Sequence, residues 1–436
     1  MKLRRIIAVA AACALAFCLT GCDVFSVDTD TLIAPPEISG DMYPVSLALA
    51  RSVKGEYQLK YPSLGDYRSA IVLEDIDSNG ELEAFAFYST ADDEMTNMHI
   101  NMICRSGEDY ESVADMSIVA GGVEQVAFCD FDGDGTKEIL VGWEVYGTSE
   151  KQICVYSLSG GKSEQLLSEK YTGFLCCDIA EDGGTQLLLH QLNTSEMTNS
   201  AVLYRLKKGK FNKAGSCVLD PEVKTTLGHE FSKLSTGKSA VFIDEIKGVN
   251  AITEVLIFKD GELKNPLLST ENTIENIRTL RAASLRCRDI DGNGTLEIPV
   301  ATNLPNAAGT EELLYYTNWC AFDGENLVTR QITVVNTIDG YYLKIPEKLV
   351  GRIAVLKDTD NHRRVLYYYD VELGEVGERM ASVTVVAKDV WDGDGYNRSG
   401  MFEIERNSEN VFAGKVNKAA REAISEEEFK EMFNLN

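Results

Sequence analysis

A short acidic segment recurs along this chain of 436 residues, each time between two apolar runs. Three full copies begin at Glu74 (EDIDSNGELEAFAFY), Cys129 (CDFDGDGTKEILVGW) and Arg288 (RDIDGNGTLEIPVAT). Two degenerate copies begin at Cys177 (CDIAEDGGTQLLLHQ) and Ile243 (IDEIKGVNAITEVLIF). A repeat of this kind means that one small structural unit is used several times, because each unit must bury its apolar face against its neighbours. The repeat therefore constrains the fold more than any other feature of the sequence.

The residues around each acidic segment indicate the secondary structure of the unit. Apolar residues alternate before the segment, such as Val126 and Phe128 before Asp130, and a period of two is typical of a strand with one buried face. A second apolar run follows the segment, and then a glycine-containing hairpin such as ICVYSLSGGKSEQLL or VLYRLKKGKFNKAG. The unit is thus four strands in roughly 45 to 65 residues, which is the pattern of β-propeller blades.

The sequence therefore predicts an all-β fold, a β-propeller of four-stranded blades. Five units are visible, and the first strand or the segment after residue 339 could complete a sixth or seventh blade. We expect the propeller to cover residues 41–338. Residues 339–436 lack the acidic segment and are predicted to form a mostly β C-terminal region, either a separate domain or a closing blade, that ends in a short helix. Ser425 and Glu428 form the capping box expected at the start of that helix.

The acidic segments have the spacing of a cation-binding loop. Numbered from the first aspartate, positions 1, 3 and 5 carry carboxylate or amide oxygens, position 6 is glycine and position 9 is glutamate. Alternate oxygens of a tight loop, together with the backbone carbonyl of position 7, could build a calcium shell. No His or Cys takes part, which argues against zinc and copper. The predicted ligands of the three sites are Asp75, Asp77, Asn79, Glu81 and Glu83; Asp130, Asp132, Asp134, Thr136 and Glu138; and Asp289, Asp291, Asn293, Thr295 and Glu297.

A different calcium motif, the EF-hand, opens with the same residues. That motif requires a bidentate acid at position 12 and a helix after the loop. Position 12 is Ala86, Val141 or Val300 in this chain, inside strand-like runs. The EF-hand is therefore excluded.

An acid at position 9 followed by a strand resembles the calcium loops of FG-GAP and VCBS repeats in integrin-α-like propellers. The resemblance covers about residues 67–335 and rests on the three full copies. It implies that each full loop joins two strands of a blade and that calcium fixes the shape of the loop. In the degenerate copies, Ala180 and Ile246 stand where aspartates belong, so we expect these copies to bind no metal.

The first 22 residues have the pattern of an export signal. A basic start (MKLRR) precedes an apolar run from Ile6 to Leu19, which is too short to span a bilayer. The run ends in LTGC at Cys22, which resembles the lipobox of bacterial lipoproteins and implies cleavage before Cys22 and lipid on its sulfur. We expect a signal peptide over 1–21, a tether over 22–40, and a lipid-anchored protein at the extracytoplasmic face of a cell membrane.

Eight further cysteines follow Cys22 along the chain. Most of them lie inside apolar strand-like runs, and no CxxC pair occurs. An exported protein can form disulfides, but this placement favours buried free thiols that pack as small apolar side chains.

The net charge of −26 argues against nucleic acid and anionic lipid headgroups as partners. The four histidines stand in unrelated sequence contexts, and no GxSxG, HExxH, P-loop or strand-linked GxGxxG motif occurs. The sequence therefore predicts that the protein is not an enzyme but a binding or scaffold module for a surface protein or a glycan. Two alternatives are a propeller enzyme of the cell envelope, a hydrolase or lyase of polysaccharide or peptide, and an envelope assembly factor.

Overall fold

A computed structural model describes residues 42–90, 97–159, 162–269, 274–305, 314–358 and 361–435. The predicted signal peptide, the tether and Cys22 lie outside these residues. None of the helices in the described ranges has the length and apolar character needed to cross a bilayer.

The described residues form six antiparallel sheets of four or five strands. The first contains β1 (Tyr57–Leu59), β2 (Ile71–Glu74), β3 (Glu83–Thr90), β4 (Asn97–Ser106) and β5 (Asp109–Val119). The second contains β6 (Gly122–Cys129), β7 (Glu138–Glu144), β8 (Lys151–Ser159) and β9 (Lys162–Lys170). The third contains β10 (Gly173–Cys177), β11 (Gln186–Asn193), β12 (Thr198–Lys207) and β13 (Lys210–Val218).

The other three sheets follow in chain order. The fourth contains β14 (Val223–Lys233), β15 (Ser239–Lys247), β16 (Asn250–Lys259), β17 (Glu262–Lys264) and β18 (Arg281–Ala282). The fifth contains β19 (Ile298–Asn303), β20 (Tyr315–Phe322), β21 (Leu327–Asn336) and β22 (Tyr341–Lys344). The sixth contains β23 (Ile353–Asp358), β24 (Arg363–Asp370), β25 (Glu375–Ala387), β26 (Phe402–Arg406) and β27 (Asn410–Val416). The last strand, β28 (Phe433–Leu435), returns to the fifth sheet and pairs with β22.

The helices of the described residues are short. They are α1 (Tyr43–Ser52), α2 (Lys388–Asp392) and α3 (Glu426–Met432), with a 3₁₀ turn at Glu347–Leu349. The predicted capping box is confirmed at α3: the Ser425 hydroxyl accepts the N–H of Glu428 at 3.1 Å, and the Glu428 carboxylate accepts the N–H of Ser425 at 2.9 Å.

The predicted all-β propeller of four-stranded units is confirmed. In the second and third sheets the four strands pair in chain order, as the unit of strand, acidic segment, strand and hairpin requires. The sixth sheet is built by residues after 339, and the fifth sheet also takes β22 and β28 from that part of the chain. The C-terminal region therefore completes one blade and forms another.

The apolar core lies between sheets that follow one another in the chain. The second strand of a sheet is covered on both faces, which explains continuous apolar runs such as Ile139–Val141. By contrast, β5 at the edge of the first sheet is never buried and alternates between half-exposed and exposed residues. Each of five apolar clusters contains buried residues from two consecutive sheets, such as Phe87 with Trp143, Leu140 with Leu187, Leu188 with Val241, Phe242 with Ile298, and Tyr316 with Val355.

The outer faces of the first and sixth sheets are covered by helices. Leu49 of α1 packs against Ala84 and Ile103 of the first sheet, and Trp391 of α2 packs against Val411 of the sixth. Among the described residues, no cluster of buried apolar side chains joins the first sheet to the sixth. The series of blades thus has two ends that are each closed by a helix.

The prediction of a degenerate acidic loop at Ile243 is wrong, because this segment forms a strand. Asp244 and Ile246 lie inside β15, and the turn that follows joins β15 to β16. The segment in the position of an acidic loop is 234–238, between β14 and β15, and it contains no acid. The alternation of IDEIKG belongs to a strand whose Asp244 carboxylate is paired with Arg281 at 2.6 Å.

The eight cysteines of the described residues are all free thiols, as the apolar runs around them predict.

Candidate functional site

Four loops of the same length occupy equivalent places in the blades, and we name them by their residues. Loop A is 75–83, loop B is 130–138, loop C is 178–186 and loop D is 289–297. Loop A joins β2 to β3, loop B joins β6 to β7 and loop C joins β10 to β11. Loop D leads into β19, and its ends are held by one bridge between Arg288 and Glu297, with backbone bonds of 3.2 and 3.0 Å.

The backbone of the four loops is held by the same internal hydrogen bonds. Position 6 is glycine in each, with φ between 82° and 90°, a left-handed conformation that glycine adopts without strain. The aspartate at position 1 accepts the N–H of this glycine at 2.8 to 3.0 Å. Donation from Gly294 and its neighbours lowers the pKa of Asp289. The loops are therefore shaped by their own aspartates before any ligand is considered.

The glutamate at position 9 is buried although it carries a charge. Glu83, Glu138 and Glu297 are 6%, 4% and 0% exposed. In each, Oε2 accepts the N–H of position 2 at 3.0 to 3.1 Å. Burial raises the pKa of Glu138 to about 7, and the nearby loop aspartates add to this effect. Burial also raises the pKa of Glu83 and Glu297.

A buried carboxylate beside other carboxylates requires a compensating positive charge. The described residues place no lysine or arginine on Glu83, Glu138 or Glu297. Oxygen atoms of Asp75, Asp77 and Glu83 lie within 4.8 Å of one another, and so do those of Asp289, Asp291 and Glu297. The third set of this kind is Asp130, Asp132 and Asp134. Each set could hold a metal ion, and oxygen-only ligands suit a hard divalent cation.

The remaining predicted ligands lie in the same loops. The side-chain oxygens of Asn79, Asp134 and Asn293 at position 5 accept the N–H of position 7 at 2.6 to 2.8 Å. That bond leaves a second lone pair on the oxygens of Asn79 and Asp134, whereas the Asn293 oxygen also accepts the Thr295 hydroxyl at 2.5 Å. The backbone carbonyls of Glu81, Thr136 and Thr295 at position 7 stay predicted ligands.

Loop C has the same backbone but a different residue at position 9. The Oε1 of Gln186 accepts the N–H of Ala180 at position 3 at 3.1 Å, one residue later than the N–H that the glutamates accept in the other loops. Its Nε2 donates to Asp182 at 3.2 Å, to Asp178 at 3.5 Å and to the Gly184 carbonyl. The Arg205 guanidinium forms an ion pair with Asp182. Donors of the protein itself therefore occupy the oxygens whose counterparts in loops A, B and D could hold a cation.

Loops A and B touch each other directly. The Lys137 N–H donates to the Ile76 carbonyl at 2.6 Å, and the Ser78 hydroxyl donates to the Gly135 carbonyl at 3.2 Å. The Lys137 ammonium also pairs with Glu74, the residue before loop A. The two loops thus share one hydrogen-bonded surface.

Loop C instead reaches the next blade. Its Glu181 accepts the N–H of Ser239 at 2.7 Å and forms an ion pair with Lys238 at 3.1 Å. The Lys238 bond lowers the pKa of Glu181 to about 2. A cavity of about 620 Å³ lies beside this contact, with Ile179, Leu234 and Phe258 among its lining residues.

A second cavity, of about 760 Å³, lies at the other end of the second to fourth sheets. In an antiparallel sheet that follows chain order, successive turns alternate between the two ends. The turns from β7 to β8 and from β11 to β12, which line this cavity, are therefore opposite to loops B and C.

Two histidines from separate sheets meet inside the molecule, which sequence contexts did not indicate. The His190 Nδ1 and His229 Nε2 atoms are 2.9 Å apart, and His190 Nε2 lies 3.2 Å from Glu245. Burial is the main cause that lowers the pKa of His229 to about 3, and the electrostatic effect of His190 also lowers it. Their approach depends on Gly173, where a Cβ atom would lie 2.1 Å from the His229 ring.

The comparisons with known proteins concern the fold. No protein-family model and no curated protein sequence matches the chain. Among solved structures it is similar to the exotype rhamnogalacturonan lyase YesX, with a TM-score of 0.30, 15% identity, and 74% of this chain and 65% of that chain covered. A rhamnogalacturonan lyase PL11 of Bacillus licheniformis has a TM-score of 0.30 and 10% identity, with 83% of this chain and 91% of that chain covered. TolB from Acinetobacter baumannii has a TM-score of 0.24 and 13% identity, with 65% of this chain and 60% of that chain covered.

The prediction that the protein is not an enzyme is corrected by these comparisons, because polysaccharide lyases stand among the similar structures. The prediction rested on the absence of local motifs. Catalytic groups of a propeller come from separate blades and need no common sequence motif, so that absence does not exclude an activity.

Proposed function

We propose that this protein is an extracytoplasmic, calcium-binding β-propeller that acts as a binding module and is held at a membrane by lipid on Cys22. The observation that carries the proposal is the buried, uncompensated glutamate at position 9 of loops A, B and D, with at least two further acids in each loop. The signal-like segment that ends at Cys22 supports the location.

Calcium fits these loops better than magnesium. Calcium accepts six to eight oxygen ligands in flexible geometry, whereas magnesium demands a near-ideal octahedron and keeps several waters. Each loop offers three acids or two acids and an amide at positions 1, 3 and 5, a glutamate at position 9 and a backbone carbonyl at position 7. The same spacing underlies the resemblance to FG-GAP and VCBS repeats.

The expected contribution of calcium to stability is considerable. Extracellular calcium modules have dissociation constants of about 10⁻⁴ to 10⁻³ M. At millimolar calcium, a site at the tighter end adds about 1.4 kcal/mol to the free energy of unfolding. Three independent sites would add roughly 4 kcal/mol, a large part of the stability of a typical domain.

The role as a binding module follows from what calcium stabilises. Connecting loops on a rigid scaffold are the usual place for recognition, and calcium would fix three such loops at one end of the blades. Cavities lie at both ends, between consecutive blades. A tether over 22–40 would allow these surfaces to reach beyond the membrane.

Thermal melting of the purified protein tests the metal. We expect the midpoint to rise with calcium, to fall with a calcium chelator and to respond weakly to magnesium. Equal midpoints in calcium and in chelator would contradict the proposal. Fractionation of cells that express Cys22→Ser tests the anchor, because full membrane attachment of this variant would contradict lipidation at that residue.

A further inference from the structure

The cavity opposite loops B and C has a lining that differs from the rest of this acidic chain. Hydroxyl side chains gather there from the third and fourth sheets and the segments between their strands. No hydrogen-bond partner within the described residues is found for the side chains of Thr194, Ser195, Thr198, Ser200 and Thr225. A lining of this kind suits a ligand that itself carries many hydroxyl groups, because each side chain can donate and accept.

One of the lysine side chains that line the cavity has no ion-pair partner among the described residues. Lys151 is paired with the buried Glu124, and Lys170 is paired with Glu150 at 2.8 Å. Within the described part of the chain Lys224 has no carboxylate partner. It therefore offers a single positive charge at the edge of a polar cavity.

The walls of the cavity are held by hydrogen bonds that cross between strands. The Thr172 hydroxyl accepts the N–H of Leu192 at 2.9 Å, and the Gln191 amide donates to the Lys170 carbonyl at 2.8 Å. The Tyr171 hydroxyl is bonded to Glu124. The second and third sheets are thus joined at this point, and a pre-formed site loses less entropy on binding.

We propose that this cavity binds a short acidic oligosaccharide, with sugar hydroxyls on the threonine and serine side chains and one carboxylate on Lys224. The inference rests on the proposed role as an extracytoplasmic binding module and names the class of its ligand. The volume of about 760 Å³ lies within the range of ligand pockets. Glu150 and Glu169 in the lining disfavour a ligand of high negative charge, such as a polyphosphate.

The choice of a sugar over an apolar ligand follows from desolvation. An apolar ligand would cover these hydroxyl groups without bonding them, and each hydroxyl group left unpaired in this way weakens binding. A sugar ring replaces the bound waters with its own hydroxyls and so retains the hydrogen bonds.

Calorimetric titration of the full-length protein with two trisaccharides tests the inference. One probe is cellotriose with a single C6 oxidised to a carboxylate, which carries one negative charge, and the other is the neutral cellotriose. We expect the acidic trisaccharide to bind, Lys224→Gln to weaken its binding about tenfold, and Ser200→Ala with Thr198→Val to weaken it further. The matched control is Lys259→Gln in the cavity beside loop C, which should leave the affinity unchanged.

The outcomes separate this inference from the proposed function. Calcium-dependent melting is measured on the same samples. A protein that is stabilised by calcium but binds neither trisaccharide overturns the inference and leaves the metal proposal standing. Equal binding of both trisaccharides, or binding of the acidic trisaccharide that Lys224→Gln does not change, also overturns it.

Discussion

Loops B and C have the same backbone and neutralise their acids in different ways. In both, the aspartate at position 1 accepts the N–H of the position 6 glycine at 3.0 Å. The side chain at position 9 accepts a backbone N–H at 3.1 Å in both, from position 2 in loop B and from position 3 in loop C. Loop B then brings the carboxylates of Asp130, Asp132 and Asp134 within 4.8 Å of one another, whereas loop C keeps aspartates only at positions 1 and 5. The shape of the loop therefore does not depend on the number of its acids.

The difference depends mainly on one side chain. Gln186 replaces one carboxylate oxygen of Glu138 by an NH₂ group that donates to Asp182 and Asp178. Arg205, from β12, supplies the charge that an amide lacks. The comparison teaches that the same loop can be stabilised by an external cation or by donors within the chain.

The largest expected effect comes from the aspartate at position 1. Asp130→Ala removes both a proposed calcium ligand and the acceptor of two backbone N–H groups, so we expect a loss of roughly 3 kcal/mol in calcium and roughly 1 to 2 kcal/mol in chelator. Asp178→Ala should lose roughly 1 to 2 kcal/mol in both conditions, because only hydrogen bonds are lost. Denaturant unfolding measures both variants. If calcium changes the stability loss by the same amount in both variants, the distinction between loops B and C is wrong.

The next effect concerns Glu138 alone. Glu138→Gln gives loop B the position 9 residue of loop C, and we expect it to lose about 1.4 kcal/mol in millimolar calcium. In chelator at pH 8 the variant should be more stable than the wild type, because the buried charge is gone. The pKa of Glu138 is raised to about 7, so without calcium the wild type loses stability as pH rises from its unfolded value through about 7. A pH series in chelator should show a steeper loss in the wild type than in the variant, which still contains the buried Glu83 and Glu297 with their raised pKa values.

A smaller effect is expected when loop C is given the acids of loop B. The double variant Ala180→Asp, Gln186→Glu should become calcium-dependent and gain at most about 1 kcal/mol from the metal, because Arg205 still competes for Asp182. In chelator it should be less stable than the wild type, since four carboxylates then repel one another. Melting with and without calcium is the measurement, and a variant that ignores calcium would show that position 9 does not decide metal binding.

The smallest effect is the coupling between loops A and B. Their shared hydrogen bonds mean that ordering one loop helps to order the other, and we expect a coupling of about 1 kcal/mol, roughly fivefold in affinity. Ser78→Ala with Lys137→Ala should reduce this coupling without removing either site. Calorimetric titration with calcium measures it, with loop D as the separate reference. Unchanged binding curves would show that the contact carries no coupling.

Local patterns in the sequence predict the strands, the tight loops and the helix cap. Alternation before Asp130 and a glycine at Gly135 predict a strand and a tight loop, because both depend on a few neighbouring residues. The capping box at Ser425 was equally local. The copy at Ile243 was misplaced for the same reason, since a strand with alternating acids has the same short pattern as a degenerate loop.

Features that depend on packing could not be predicted in this way. Arg205 meets Asp182 across 23 residues of sequence, and His190 meets His229 across 39. Such contacts arise when blades stack, and no single segment encodes them. The substitution at Gln186 was visible in the sequence, but its role depends on the positions of Asp178 and Asp182 in the folded loop.

The positions of bound calcium ions test the central claim most directly. Crystals grown in calcium, with anomalous differences recorded at a wavelength where calcium scatters anomalously, should show one ion in each of loops A, B and D. Loop C should show none, because Gln186 and Arg205 occupy its oxygens. An ion in loop C, or the absence of ions from loops A, B and D at saturating calcium, would contradict the account.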